Sequence, residues 1–260
     1  MNDVPILPSL FLAHGSPMLA LDGEAWGPAV AAYGQRLPAI RAILVCSAHW
    51  EASGPFYLSS SAVPGVMHDF GGFPEALYAL DYPAPGSPDL AQQVVALLRE
   101  AGMEAALDSK RPLDHGAWVP LRYLMPEARV PVVQLSLPRP RTPALLLKAG
   151  RALAPLRREG VLILGSGGIV HNLRRLGGEG AAGAQPWARD FQAWVDARLA
   201  AGDEAALANW RTAPGALESV PTSEHLDPLF VALGAAEEPP QPIFEGWQLG
   251  SLSLASYSFS

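Results

Sequence analysis

The chain has 260 residues, 49% of them apolar and 17% charged, with a formal net charge of −7. That length and composition exclude a disordered chain and suit one α/β unit with a sizeable core. The acidic balance argues against nucleic acid as a partner, no apolar run reaches the roughly 20 residues of a membrane helix, and Met1-Asn2-Asp3-Val4-Pro5 carries no basic export signal, so the cytoplasm is the expected location. Cys46, the only cysteine, excludes an intrachain disulfide and a cysteine-based zinc cluster, and is expected to be a small core residue.

In chain order, strand-like apolar runs fall near residues 8–14, 42–50, 55–60, 130–137, 160–168 and 251–259. Between them, residues 88–101 read as a helix with Ser87 as N-cap, Pro88 at its first position and Gly102 as its stop. Residues 143–156 and 187–199 read as two more, the latter with Trp187, Phe191, Trp194, Val195 and Leu199 at helical spacing. Strands alternating with helices predict a single domain over 1–260: an α/β fold with a largely parallel or mixed central sheet covered by helices on both faces. The last run reads as a terminal edge strand. Residues 176–185, rich in Gly and Ala, read as the least constrained segment.

Chemistry concentrates in the six histidines. His14, His49 and His171 each stand where an apolar run gives way, near the carboxyl end of an expected strand, and that edge of an open α/β sheet is where ligands bind. Imidazoles gathered there from distant parts of the chain suggest a metal site. Trp50-Glu51 after His49 offers an aromatic wall and a carboxylate able to orient an imidazole. The run Gly165-Ser166-Gly167-Gly168 fits neither a dinucleotide fingerprint nor a serine-hydrolase elbow, which leaves a tight turn exposing His171. His225 lies in a polar loop, His115 follows Asp114, which can tune it or cap the next turn, and His68 opens a loop dense in aromatics whose simplest role is packing.

The motifs HGSP, SAHWE, HDFGGFPEALYALDYPAPG, LDHGAWVPLRYLMP, GSGGIVHNLR and SEHLDPL, in this order from about residue 8 onward, resemble the DODA-type extradiol aromatic ring-opening dioxygenases, the 4,5-DOPA dioxygenase extradiol branch of the class III, LigB-like superfamily. The resemblance implies one divalent non-haem metal held by His14, His49 and His225, with His171 a fourth ligand or a catalytic neighbour and His115 an acid/base. It implies Fe(II) for turnover, with Zn(II) fitting the same imidazoles in purified protein but lacking the redox change. The expected partners are a catechol-type, DOPA-like substrate and O2, in a monomer or small homo-oligomer. Glu224 beside His225 offers the carboxylate of a two-histidine, one-carboxylate set, but the all-histidine set matches this branch better.

Two other readings compete. A three-histidine metal with one open position also suits a zinc-dependent hydrolase of a small amide or ester, and a Memo-like relative on the same scaffold would bind without cleaving. Retention of all five histidines weighs against the second. Trp50, Phe70, Phe73, Trp118 and Tyr123 are candidate aromatic contacts, and Arg122 or Arg174 a candidate partner for a substrate carboxylate.

Overall fold

Among the described residues ten strands form, in the order β1 (Ser9–Ala13), β2 (Ala42–Ser53), β3 (Phe56–Ser59), β4 (Ala105–Asp108), β5 (Val132–Arg139), β6 (Val161–Gly167), β7 (Gln241–Phe244), β8 (Trp247–Gln248), β9 (Leu252–Ser253) and β10 (Ser256–Phe259). They are taken from a computed structural model that describes residues 5–177 and 184–260. Eight of them make one sheet in the order β4-β3-β5-β2-β6-β1-β10-β7. Its centre is parallel, β5-β2-β6-β1, while β3 meets β5 antiparallel and β10 and β7 add antiparallel strands beyond β1.

The parallel centre explains the continuous apolar runs, because strands covered on both faces bury every side chain. Leu10, Leu12, Ile43, Val45, Leu162 and Leu164 point into one core with Trp26, Trp118 and Leu121. The alternating partners Phe11, Leu44, Cys46 and Ile163 point into the other, with Leu90, Val94, Leu146, Phe191 and Phe230. Cys46 is thus a core residue, its thiol pushed up by burial.

The helix Pro88–Glu100 forms as the sequence predicts, with the Ser87 hydroxyl accepting the Leu90 N–H at 3.3 Å. The helix Pro143–Leu153 ends earlier than expected and continues as the 3-10 turn Ala154–Glu159, because Pro155 has no N–H to extend the α-helical ladder. The third helix spans Pro186–Ala200. The terminal run is not an edge: β10 is fully buried between β1 and β7, and the outer place is taken by β7, where Pro242 is tolerated. Of the segment expected to be least constrained, residues 178–183 lie outside the described residues. Among those described, no helix is long and apolar enough to cross a membrane.

Candidate functional site

Because β2, β6 and β1 are parallel neighbours, their carboxyl ends open on one edge of the sheet, and the histidines meet there. His14 directly follows β1, its N–H donating to the Gly167 carbonyl at 3.1 Å. His49 does not end its strand. It sits inside β2, in the stretch between Cys46 and Glu51 where pairing with β5 lapses and then resumes. His171 lies beyond β6 and is held by its N–H to the Ser219 carbonyl at 2.9 Å. His225 closes the 3-10 turn Ser223–His225, and His115 opens the helix His115–Leu124, where Asp114 accepts the Ala117 N–H at 3.1 Å as its cap.

The glycine run is not a turn. Gly165 and Gly167 lie within β6, and a Cβ on Gly167 would stand 2.0 Å from the His225 carbonyl oxygen, which also accepts the Gly168 N–H at 2.8 Å. Only bare backbone lets the His225 segment approach the strand this closely. Asp227, just beyond, is fixed to β2 through Arg141, which donates to Asp227 at 2.5 Å and to Glu51 at 2.6 Å. Glu51 therefore ties two segments together and does not reach His49.

The rings converge. Centroids of His14 lie 4.9 Å from His49, 5.3 Å from His225 and 5.4 Å from His115, and His49 and His115 are 3.9 Å apart. His171 stacks on His225 at 3.5 Å with planes 6° apart. His14, His49 and His225 each offer a ligand atom within 4.8 Å of the other two, an arrangement that can hold a metal; His171 is not in that group.

Hydrogen bonds fix which nitrogen His14 and His225 present. The Ser166 hydroxyl gives its single proton to the Gly116 carbonyl at 2.5 Å, so it accepts from His14 Nδ1–H at 2.9 Å and leaves Nε2 with a lone pair. Glu224 Oε1 accepts His225 Nδ1–H at 3.1 Å, and His225 Nε2 is buried with no partner. Glu224 thus orients a histidine and does not join the three-nitrogen group. His49 Nε2 faces His14 Nε2 at 3.0 Å, while its Nδ1 turns towards Asp69 at 3.6 Å. Three ring nitrogens within reach of one another, one of them a buried orphan, suit a cation between them. Burial first, and the neighbouring imidazoles next, hold His14 and His225 well below the usual pKa and His49 and His171 at about 4, so all four are neutral near pH 7, as metal ligation requires.

Asp69 was not legible as a site residue. Its Oδ1 accepts both the backbone N–H of His115 at 2.9 Å and His115 Nδ1–H at 3.0 Å. Burial alone would raise this carboxyl, but the hydrogen bonds and field of His115, with His49 adding to them, hold it at about 2. The ionised carboxylate fixes the His115 ring and turns its Nε2 away from Asp69.

A cavity of about 430 Å³ opens over these groups, walled by Phe70, Phe73, Leu173, Leu176, Leu249 and Leu252. Phe70 and Phe73 reach it as the sequence suggested. Trp50, Trp118, Tyr123, Arg122 and Arg174 do not line it. Trp50 is covered by the Arg111 guanidinium, Trp118 donates to the Met67 carbonyl at 3.1 Å, and the Tyr123 hydroxyl donates to the Leu19 carbonyl at 2.5 Å. Arg122 donates to the Asp81 carbonyl at 3.0 Å. His68 packs against Phe70, Tyr78 and Trp118 and bonds the Leu80 carbonyl at 3.0 Å, which leaves it a structural histidine.

Comparison with known proteins agrees with this geometry. Residues 8–259 match the family described as the catalytic LigB subunit of aromatic ring-opening dioxygenase. The chain is 41% identical to the 4,5-DOPA dioxygenase extradiol of Escherichia coli K12, over 96% of this chain and 93% of that protein. It is 39% identical to the Beta vulgaris protein of the same name, over 97% and 96%. The crystal structure of an uncharacterized Escherichia coli K12 protein superposes with a TM-score of 0.84 at 36% identity, covering 98% of this chain and all of that one. With nearly its whole length matched, the chain belongs to the LigB family of aromatic ring-opening dioxygenases.

Proposed function

We propose that the chain is one catalytic domain that opens catechol-type rings with O2, His14, His49 and His225 holding a single divalent metal. The observation that carries this reading is the set of imidazole edges left open: the partnerless, buried His225 Nε2 beside the facing Nε2 atoms of His14 and His49. Bound there, Fe(II) would supply open positions for both catechol oxygens and the redox exchange with O2 that Zn(II) lacks.

The chain's own groups do the rest. With Nδ1–H committed to Asp69, His115 is left with Nε2 as a base for a catechol hydroxyl proton, and the resulting imidazolium, stabilised by the carboxylate, returns the proton when the ring rearranges. His171, stacked flat on His225 and outside the three-nitrogen group, is placed to pass protons at the rim of the site. Phe70 and Phe73 offer faces to an aromatic ring and keep water from the reacting edge. The relatives' names make DOPA one of the first catechols to try.

The test is anaerobic reconstitution with Fe(II), then addition of O2 and a catechol panel. The reading expects oxygen uptake matched mole for mole by a yellow semialdehyde product. A fully loaded protein that consumes no O2 with any catechol, or hydrolyses esters with Zn(II) bound, would contradict it.

A further inference from the structure

Resting on the metal reading above, we propose that Arg111, Asp114 and Ser47 form a positioning clamp that holds His49 in the aim a metal requires. His49 owes its place to a break in the sheet. Between the pairing of Cys46 with Leu135 and that of Glu51 with Leu137, β2 passes through Ser47, Ala48, His49 and Trp50 while β5 passes only Ser136. Extra residues of this kind re-aim a side chain, and they leave backbone groups that the ladder no longer satisfies.

Side chains take over those groups at His49. Arg111 Nη2 donates to the His49 carbonyl at 3.0 Å, and the Ser47 hydroxyl accepts the His49 N–H at 3.2 Å. Both lead to Asp114, which is fully buried: Arg111 Nη2 donates to its Oδ2 at 2.8 Å and the Ser47 hydroxyl to its Oδ1 at 2.7 Å. Gln134 also donates to Oδ2, which ties the clamp to β5, the strand whose pairing lapses here. The Arg111 guanidinium lies 5.0 Å over the Trp50 ring and so holds the residue after His49 as well.

The same turn serves the rest of the site. His115 follows Asp114 in the chain, and the Gly116 carbonyl accepts the Ser166 hydroxyl that orients His14. A Cβ on Gly116 would collide with Ser47 Oγ and stand 3.0 Å from His49 Cδ2, so the first turn of this helix packs directly on the His49 ring. One buried carboxyl group thereby sets His49 relative to both His14 and His115. Arg111, Asp114 and Ser47 are not among the described residues that line the cavity, so their effect passes through His49.

The test sets calorimetric Kd for Zn(II), which needs no turnover, beside chemical denaturation of the metal-free protein. Arg111→Met, unbranched like arginine but without a donor, should weaken Zn(II) binding by about 10- to 100-fold, the range for groups that orient a metal ligand from behind. Arg111→Lys should restore most of that affinity, because both links run through the single atom Nη2, and Nε, buried without a partner, makes no bond that a methylene would lose. Ser47→Ala cuts the second link and should weaken Zn(II) in the same direction, which carries the test should Arg111→Met fail to fold. Arg157→Met marks what a merely structural loss does: a lower denaturation midpoint with Zn(II) affinity kept. Parental affinity in Arg111→Met or Ser47→Ala, no rescue by Arg111→Lys, or an equal loss in Arg157→Met would overturn the clamp. A parental protein that takes up no Zn(II) would overturn it together with the metal reading. Affinities ordered as expected in a protein that cleaves no catechol would leave the clamp standing and sink the dioxygenase reading alone.

Discussion

The sheet carries a concavity at each end, and the larger is not the one with the chemistry. At the end where β1 begins, a hollow of about 710 Å³ is lined by residues including Tyr33, Arg157, Glu237 and Ser258. Its buried polar groups close on one another: Arg157, 2% exposed, donates to the Leu7 carbonyl at 2.6 Å and the Ala235 carbonyl at 2.5 Å, and the Tyr33 and Ser258 hydroxyls share a bond of 2.5 Å. At the opposite edge the smaller cavity keeps His225 Nε2 without a partner and sets two imidazole nitrogens face to face. Volume does not separate the two hollows. What separates them is whether the buried polar atoms are satisfied by the protein or left for something else.

The comparison breaks most visibly at the three nitrogens. His14→Ala, His49→Ala or His225→Ala should each remove most of the bound metal and with it turnover, as elemental analysis after reconstitution would register. Full occupancy in any one of them would remove that residue from the ligand set.

The next effect separates binding from proton transfer. His115→Ala should retain metal and lose about 10²- to 10⁴-fold in turnover. Asp69→Asn should lose about 10- to 100-fold, with kcat falling more than KM rises, because Asp69 acts on the substrate only through the ring it orients. Asp69→Asn at the parental kcat would leave that carboxylate without a role in turnover.

A smaller effect is expected at the closed hollow. Arg157→Met strands the carbonyls of Leu7 and Ala235, a cost of about 1–3 kcal/mol in chemical denaturation, while metal content and turnover stay at parental levels. A loss of metal in this variant would show that the two ends are coupled.

The last effect is read in acid, on the metal-free protein. His49 and His171 titrate at about 4 when folded, pushed down by burial and by their neighbours, against an ordinary 6.5. The unfolded chain therefore binds more protons between those values, so stability is full above about pH 6.5 and drains away as pH falls towards 4. Metal, by keeping protons off the ligand nitrogens of the folded protein, should raise stability throughout and make the loss run on below about pH 4, where the metal-free protein levels off. Equal acid sensitivity with and without metal would speak against ligation here.

Much of this was readable in the sequence, for reasons that are physical. β1, β2 and β6 announced themselves because parallel strands buried on both faces leave unbroken apolar runs, and His14 and His49 stand out against such runs. The helix from His115 to Leu124 gave no comparable signal, since Pro120 within it interrupts the usual pattern. Asp69 could not be found because its partner lies 46 residues away and no local spacing joins them. Ser166 looked like a failed nucleophile, when its hydroxyl fixes the tautomer of a histidine just past the end of the neighbouring strand. Glu51 was misjudged in the opposite sense: it follows His49 in the chain, yet Arg139 and Arg141 take it. Adjacency in sequence marked the imidazoles well and their supporting groups poorly, because support crosses between strands.

The central claim is that the open imidazole edge holds a metal at which O2 enters the ring of a catechol. Turnover of the Fe(II)-reconstituted protein under isotopically labelled O2, with the product read by mass spectrometry, tests it most directly. The account predicts that both oxygen atoms of one O2 molecule enter the ring-opened product, apart from exchange of the aldehyde oxygen with water, and that the His225→Ala protein forms none. A product whose new oxygen comes only from water, or an intact quinone in its place, would contradict it.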